Sequence, residues 1–105
     1  IGEQETFEAD TLDPNFVTER LKVLACGVIG TFRAGTFRTF RRVVVTVRFA
    51  DFETKTRSRI LPEPASSLET LEFEGLKLLM PFFDLRENPR RKKIRLVGVR
   101  VEEFG

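Results

Sequence analysis

The sequence predicts an α+β domain in the order β-α-β-β-α-β, with a four-stranded sheet and two helices packed on one face. Three observations carry this. Two apolar stretches have the three- and four-residue spacing of amphipathic helices, other stretches alternate with the period of strands, and the charge changes sign in step with both. Counting Lys and Arg against Asp and Glu, residues 1–30 hold two basic and six acidic groups, 31–60 eight and two, 61–89 two and six, and 90–105 six and two. Helical segments are acidic and strand segments basic.

A weakly patterned first strand, GEQETFE, precedes the first helix. Asp13-Pro14 supplies an N-cap and an N1 proline, and Val17, Leu21, Leu24, Val28 and Phe32 then form one apolar stripe, with Gly35 marking the exit. RVVVTVRFA (42–50) places Val43, Val45, Val47 and Phe49 on one face and Val44, Thr46 and Arg48 on the other. Asp51-Phe52 is short enough to turn it into TKTRSRI (54–60), making a hairpin. Ser66 or Ser67 caps a second helix with Leu68, Leu71, Leu76, Leu79 and Phe83 as its apolar face, weakened by Gly75 and ended by Pro81. The last strand, KIRLVGVRVEEF (93–104), sets Val97, Val99 and Val101 against Leu96, Gly98 and Arg100. TFR occurs three times in TFRAGTFRTFRR (31–42), but irregularly, so Phe37 and Phe40 are read as packing the connection against the core.

Length and composition narrow the function. At 105 residues, with 41% apolar residues and eleven Phe, the chain is one domain able to bury a two-layer core. The absence of His, Trp and Tyr removes the commonest general base and metal ligand and argues against acid-base and zinc chemistry. Glu102 and Glu103, adjacent on a strand, point to opposite faces and make no carboxylate cluster. The single Cys26 cannot form an internal disulfide, so a reducing, cytoplasmic setting is expected, with Cys26 buried in the first helix. No apolar run approaches the roughly 20 residues of a membrane helix, so no membrane partner is expected. The start at Ile1 in IGEQETFEAD reads as a piece of something longer.

TKTRSRI carries the functional question. Thr54, Thr56 and Ser58 share one face and Lys55, Arg57 and Arg59 the other, so neither face has much to bury. If the apolar parity of each strand meets the helices, the open face carries Thr46, Arg48, Gly98, Arg100 and one side of TKTRSRI. Cations then gather on the open sheet and carboxylates on the helices, a dipolar disc that steers a polyanion to the sheet. Duplex DNA fits: its phosphates are contacted by Arg, Lys, Ser, Thr and backbone N–H groups, and Gly98 allows close approach of a ligand or another backbone. The competing account of TKTRSRI is a solubilised sheet edge. RRKK (90–93), after Asn88-Pro89, reads first as a solvated turn.

FADFETKTRSRIL, followed about 30 residues later by IRLVGVRVEEF, resembles the C-terminal little-finger domain of Y-family translesion DNA polymerases of the DNA polymerase IV branch, over essentially the whole chain. The resemblance implies a β-α-β-β-α-β domain lying in the major groove of primer–template duplex DNA and gripping phosphates without reading bases. The residues it assigns to this are Thr6, Arg48, Thr54, Thr56, Arg57, Ser58, Arg59, Arg95 and Arg100. It implies no catalytic site and no cofactor here, with Mg belonging to the palm of the parent polymerase, and as partners the palm and fingers of the same chain and a sliding clamp. The sequence departs from the family pattern in TFRAGTFRTF, at Leu96 and at Pro81.

Three other readings compete. An RRM-like single-stranded RNA binder would stack bases on aromatic rings, and TKTRSRI has none. A ferredoxin-like enzyme acting on a phosphorylated substrate through Arg57 or Arg59 would need a positioned base, a phosphate loop or a nucleophile. A regulatory or dimerising domain would show an apolar patch in place of a basic face.

Overall fold

Local chemistry sets where the helices begin and where β2 runs. In the computed structural model, which describes residues 1–105, the order is β1 (Gly2–Thr11), α1 (Pro14–Ala34), β2 (Phe40–Phe49), β3 (Thr54–Ala65), α2 (Leu68–Leu79), a 3-10 turn (Met80–Phe83) and β4 (Ile94–Glu102). This is the predicted β-α-β-β-α-β order. Asp13 caps α1, its Oδ1 accepting from the backbone N–H of Asn15 (3.0 Å) and Phe16 (3.5 Å). Ser67 caps α2 by accepting from Thr70 N–H at 3.1 Å. Pro81 stands two residues past the end of α2, inside the 3-10 turn, and the chain tightens there because a proline nitrogen cannot donate to the next helical bond.

The four strands form one antiparallel sheet in the order β1-β4-β2-β3, so β1 and β3 are edges. Both helices pack on one face. The core joins Val17, Leu21, Leu24, Val28, Ile29 and Phe32 of α1 and Leu71 and Leu79 of α2 to Val43, Val45, Val47 and Phe49 of β2 and Val97, Val99 and Val101 of β4. Phe40 and Phe82 are also fully buried. Burying one such side chain contributes about 1.5–3 kcal/mol, so this layer of apolar contacts dominates the stability.

Several expectations need correction. Cys26 is exposed, because the buried stripe of α1 passes through positions 24, 25, 28 and 29 and leaves 26 on the outer side. On α2 the buried face includes Glu74 and Gly75, and beyond it Phe82, not Phe83, is the fully buried ring. Phe37 is half exposed and stacks on Phe104 with centroids 4.5 Å apart. β3 runs past Ile60 through Pro62 and Pro64, which an edge strand tolerates on the side where no ladder partner awaits their missing N–H.

Candidate nucleic-acid interface

The register of the β2–β3 hairpin decides which side chains reach the open face. Phe49 N–H donates to Glu53 O at 2.9 Å and Phe52 N–H donates to Phe49 O at 2.9 Å, which leaves a three-residue loop, Ala50–Phe52. Phe52 has φ 69°, the left-handed position that completes this loop type. Its exposed ring lies under the Arg95 guanidinium, 4.5 Å from ring centroid to Cζ. The loop pairs Arg48 with Thr54, Thr46 with Thr56, Val45 with Arg57, Val44 with Ser58 and Val43 with Arg59.

Directly opposed residues share a face. Thr54, Thr56 and Ser58 therefore stand with Arg42, Thr46 and Arg48 on the open side, while Lys55, Arg57 and Arg59 stand with Val43, Val45 and Val47 on the helical side. The expected gathering of cations on the open sheet is corrected accordingly. β3 is an edge strand, so its long cations reach past the core to carboxylates of the helical layer. Arg57 makes a two-point pair with Glu87, Nη2 donating to Oε1 at 2.8 Å and Nε to Oε2. The hydrogen bond to Arg57 holds the Glu87 carboxyl below its ordinary range against the opposing effect of burial, and raises the Arg57 pKa in turn. Lys55 donates to the Glu87 backbone carbonyl at 2.9 Å. Arg59 Nε sits 3.0 Å from Oε2 of the buried Glu74, in an approach too bent for a hydrogen bond, so that oxygen is left without one.

The open face has no covering layer. Thr6 (paired with Leu96), Gln4 (paired with Gly98) and Gly2 (paired with Arg100) extend it across β4 to β1. At one end lie Arg42 and Arg100. Arg42 donates to Ser58 Oγ at 3.2 Å and to Glu103 at 3.3 Å, and Arg100 donates to Glu102 at 2.8 Å. At the hairpin end lies Arg48, which donates to Thr54 Oγ1 at 3.0 Å and has no carboxylate partner. Thr46 and Thr56 hydroxyls meet at 3.4 Å between them. Arg48 lies six positions beyond Arg42 on β2, about 20 Å at strand rise. Apart from Val44, Leu96 and Ile60 the face is polar, and no aromatic ring stands on it.

Gly98 lies at the middle of the face, in a shallow depression of about 180 Å³ lined by Gly2, Gln4, Val44, Thr46 and Arg100 among others. A Cβ at Gly98 would stand 3.2 Å from Gln4 Cβ and 3.4 Å from Glu3 O, so the close approach it permits is first that of β1. Arg95 is the extra residue of a bulge: β2 steps from Arg48↔Leu96 to Phe49↔Ile94. It leaves the ladder and is tethered by Asp10, Nε to Oδ1 at 3.1 Å and Nη2 to Oδ2 at 3.2 Å, which raises its pKa.

Of the nine residues singled out from sequence, Thr6, Arg48, Thr54, Thr56, Ser58 and Arg100 thus share the open face. Arg57 and Arg59 lie behind it, and Arg95 is turned aside at the bulge. Arg42 and Gln4 belong to the face and were missed, although the parity of Val44, Thr46 and Arg48 already includes position 42. No three or more Cys, Asp or Glu stand together as a metal site.

Fold and face together define an α+β domain with one sheet surface left bare, polar and free of rings. The chain belongs to the impB/mucB/samB family C-terminal domain, which matches residues 1–105. It is 42% identical over 101 residues to DNA polymerase IV of Methanoculleus marisnigri, covering 96% of this chain and 26% of that protein. Its fold is similar to a solved Dbh ternary complex (TM-score 0.81, 16% identity, 98% of this chain and 28% of that one). It is also similar to the little finger domain of PolIV solved in complex with the beta-clamp processivity factor (TM-score 0.64, 22% identity, 96% of this chain and 85% of that one). The chain spans about a quarter of the length of the polymerase relative. No helix is long and apolar enough to cross a membrane.

Proposed function

We propose that this chain is the duplex-gripping domain of a Y-family translesion DNA polymerase of the DNA polymerase IV kind, holding primer–template DNA by its phosphates without reading bases. The observation that carries the reading is the bare sheet face, with arginines at both ends, a row of hydroxyls between and no aromatic ring. Arg42, Arg48 and Arg100 offer charge to phosphate oxygens, and Thr6, Thr46, Thr54, Thr56 and Ser58 offer short hydroxyls that let a backbone come near. The ion pairs of Arg42 and Arg100 with Glu103 and Glu102 are solvent-exposed and worth little, so phosphates can displace them. Arg57, Arg59 and Arg95 act in this reading by holding β3 and the bulge in place.

The ring-free face disfavours base stacking of the RRM kind, and in this reading nucleotide transfer, with its Mg, belongs to a palm domain. The palm and fingers of the same polymerase, a sliding clamp and a cytoplasmic setting follow from the same reading. It is supported by the family membership and by the beta-clamp partner of the similar little finger domain.

The test is duplex binding by fluorescence anisotropy over a salt series. Three arginine contacts give log K against log salt a slope of about −2.7, at about 0.9 per phosphate. Arg48→Gln should weaken binding to every duplex sequence alike and make the slope shallower by about 0.9 without changing thermal stability. A slope near zero, or tighter binding to one single-stranded RNA sequence, overturns the proposal.

A further inference from the structure

The loop between the 3-10 turn and β4 is built in two layers. Asn88, 2% exposed, donates from Nδ2 to Phe82 O at 3.2 Å and Lys92 O at 2.8 Å, and its Oδ1 accepts from Lys92 N–H at 2.9 Å. Lys92 is the second anchor. Its ammonium donates to Asp51 at 2.7 Å and Glu53 at 3.2 Å and lies 5.2 Å from the Phe49 ring centroid, which ties the loop to the β2–β3 hairpin. Lys93 O accepts from Ala50 N–H at 2.9 Å and closes the loop against the same hairpin.

The other three cations of the segment are treated differently. Arg90, Arg91 and Lys93 are exposed, and none has a carboxylate within ion-pair distance. Arg91 is held at φ 51°, a left-handed conformation that a non-glycine residue keeps only when its surroundings enforce it. The enforcement is visible: Arg91 N–H donates to Asn88 O at 3.0 Å, inside the turn that Asn88 and Lys92 clamp. A merely solvated basic turn needs neither a buried amide anchor nor a strained residue. The end of the sheet that the loop adjoins is the one where Arg48 and Thr54 stand.

We infer that Arg90, Arg91 and Lys93 form a second, preorganised phosphate-contacting cluster that continues the path of bound DNA from the open sheet face over the hairpin end of the domain. This rests on the duplex-gripping reading above and adds a site to it. With the backbone that carries them already anchored, these three side chains lose less conformational freedom when a phosphate arrives than cations on a loose tail. The open face alone accounts for a salt slope of about −2.7, whereas face and loop together give about −5.4.

The test is a charge-removed loop, Arg90→Gln, Arg91→Asn and Lys93→Gln combined, with Asn at 91 because it tolerates the left-handed conformation. A matched control removes the same number of cations from the helices by Lys22→Gln, Arg33→Gln and Lys77→Gln. Thermal unfolding verifies that both fold. The expected result is that the loop variant loses affinity for a 20-base-pair duplex and flattens the slope by about 2.7, while the helix variant does neither. If Arg48→Gln weakens binding but the loop variant matches the unaltered chain, the loop inference is overturned and the open-face reading stands. If neither changes duplex binding, both are overturned. Equal losses in the loop and helix variants would reduce the effect to net charge and also overturn the inference.

Discussion

If Arg57 belongs to the helical side of the sheet, its removal should cost folding stability and leave DNA binding alone. The perturbation is a double-mutant cycle of Arg57→Met, which keeps the apolar stem, with Glu87→Gln, which keeps the shape of the carboxylate. The pair has two contact points, and the side chains are 40% and 21% exposed, so it sits between a solvated pair and a buried one. Exposed pairs are worth about 0.2–1 kcal/mol, and two-point charged hydrogen bonds lie toward the upper end, so a coupling of about 1 kcal/mol is expected after solvent screening. At an unfolding entropy of about 2.1 cal/mol/K per residue, a loss of 1 kcal/mol lowers Tm by roughly 4–5 °C in a chain of this length. Thermal unfolding measures the cycle, and anisotropy with duplex DNA supplies the second readout.

The same pair predicts a pH dependence. The folded-state pKa of Glu87 lies below its unfolded value, so its stabilisation is fully present above the ordinary glutamate pKa of about 4.3 and is lost as pH falls through the lowered folded value. The coupling should therefore be present at pH 7 and fade in acid. A coupling near zero at pH 7, joined to a loss of duplex affinity as large as that of Arg48→Gln, would refute the assignment of Arg57 to the helical side.

Other substitutions probe separate parts of the molecule. Gly98→Ala should destabilise by about 1–3 kcal/mol in chemical denaturation, because its methyl would meet Gln4 Cβ at 3.2 Å and force β1 outward. Asp13→Ala removes the cap of α1 and should cost about 1 kcal/mol, with Asp13→Ser restoring most of it. Cys26, exposed on α1, should react with a thiol reagent in the folded chain without denaturant, and a reaction that waits for unfolding would contradict its placement.

Much of this was legible in advance because local chemistry was strong. The Asp13-Pro14 start, the stripe from Val17 to Phe32 and the alternation of Val43 to Phe49 each point to one element, and all appear where expected. The weaker elements moved. The extension of β3 through Pro62 and Pro64 is stabilised by its place at the sheet edge, which no local propensity encodes. The bulge that sends Arg95 toward Asp10 arises between three strands at once and leaves no mark in IRLVGVR.

By itself the sequence determined the α+β class, the order of elements, the cap of the first helix and the two parities of TKTRSRI. It did not determine which parity looks outward. A two-residue loop at Asp51-Phe52 would have opposed Arg57 to Thr46 and placed the arginines on the open sheet; the three-residue loop ending in left-handed Phe52 opposes Arg57 to Val45 and turns outward the hydroxyls. Side chains alternate strictly along a strand, so one residue of loop length inverts the whole of β3. That choice is made by contacts distant in sequence: the Arg95 guanidinium over Phe52, Lys92 on Asp51 and Glu53, and Glu87 waiting for Arg57.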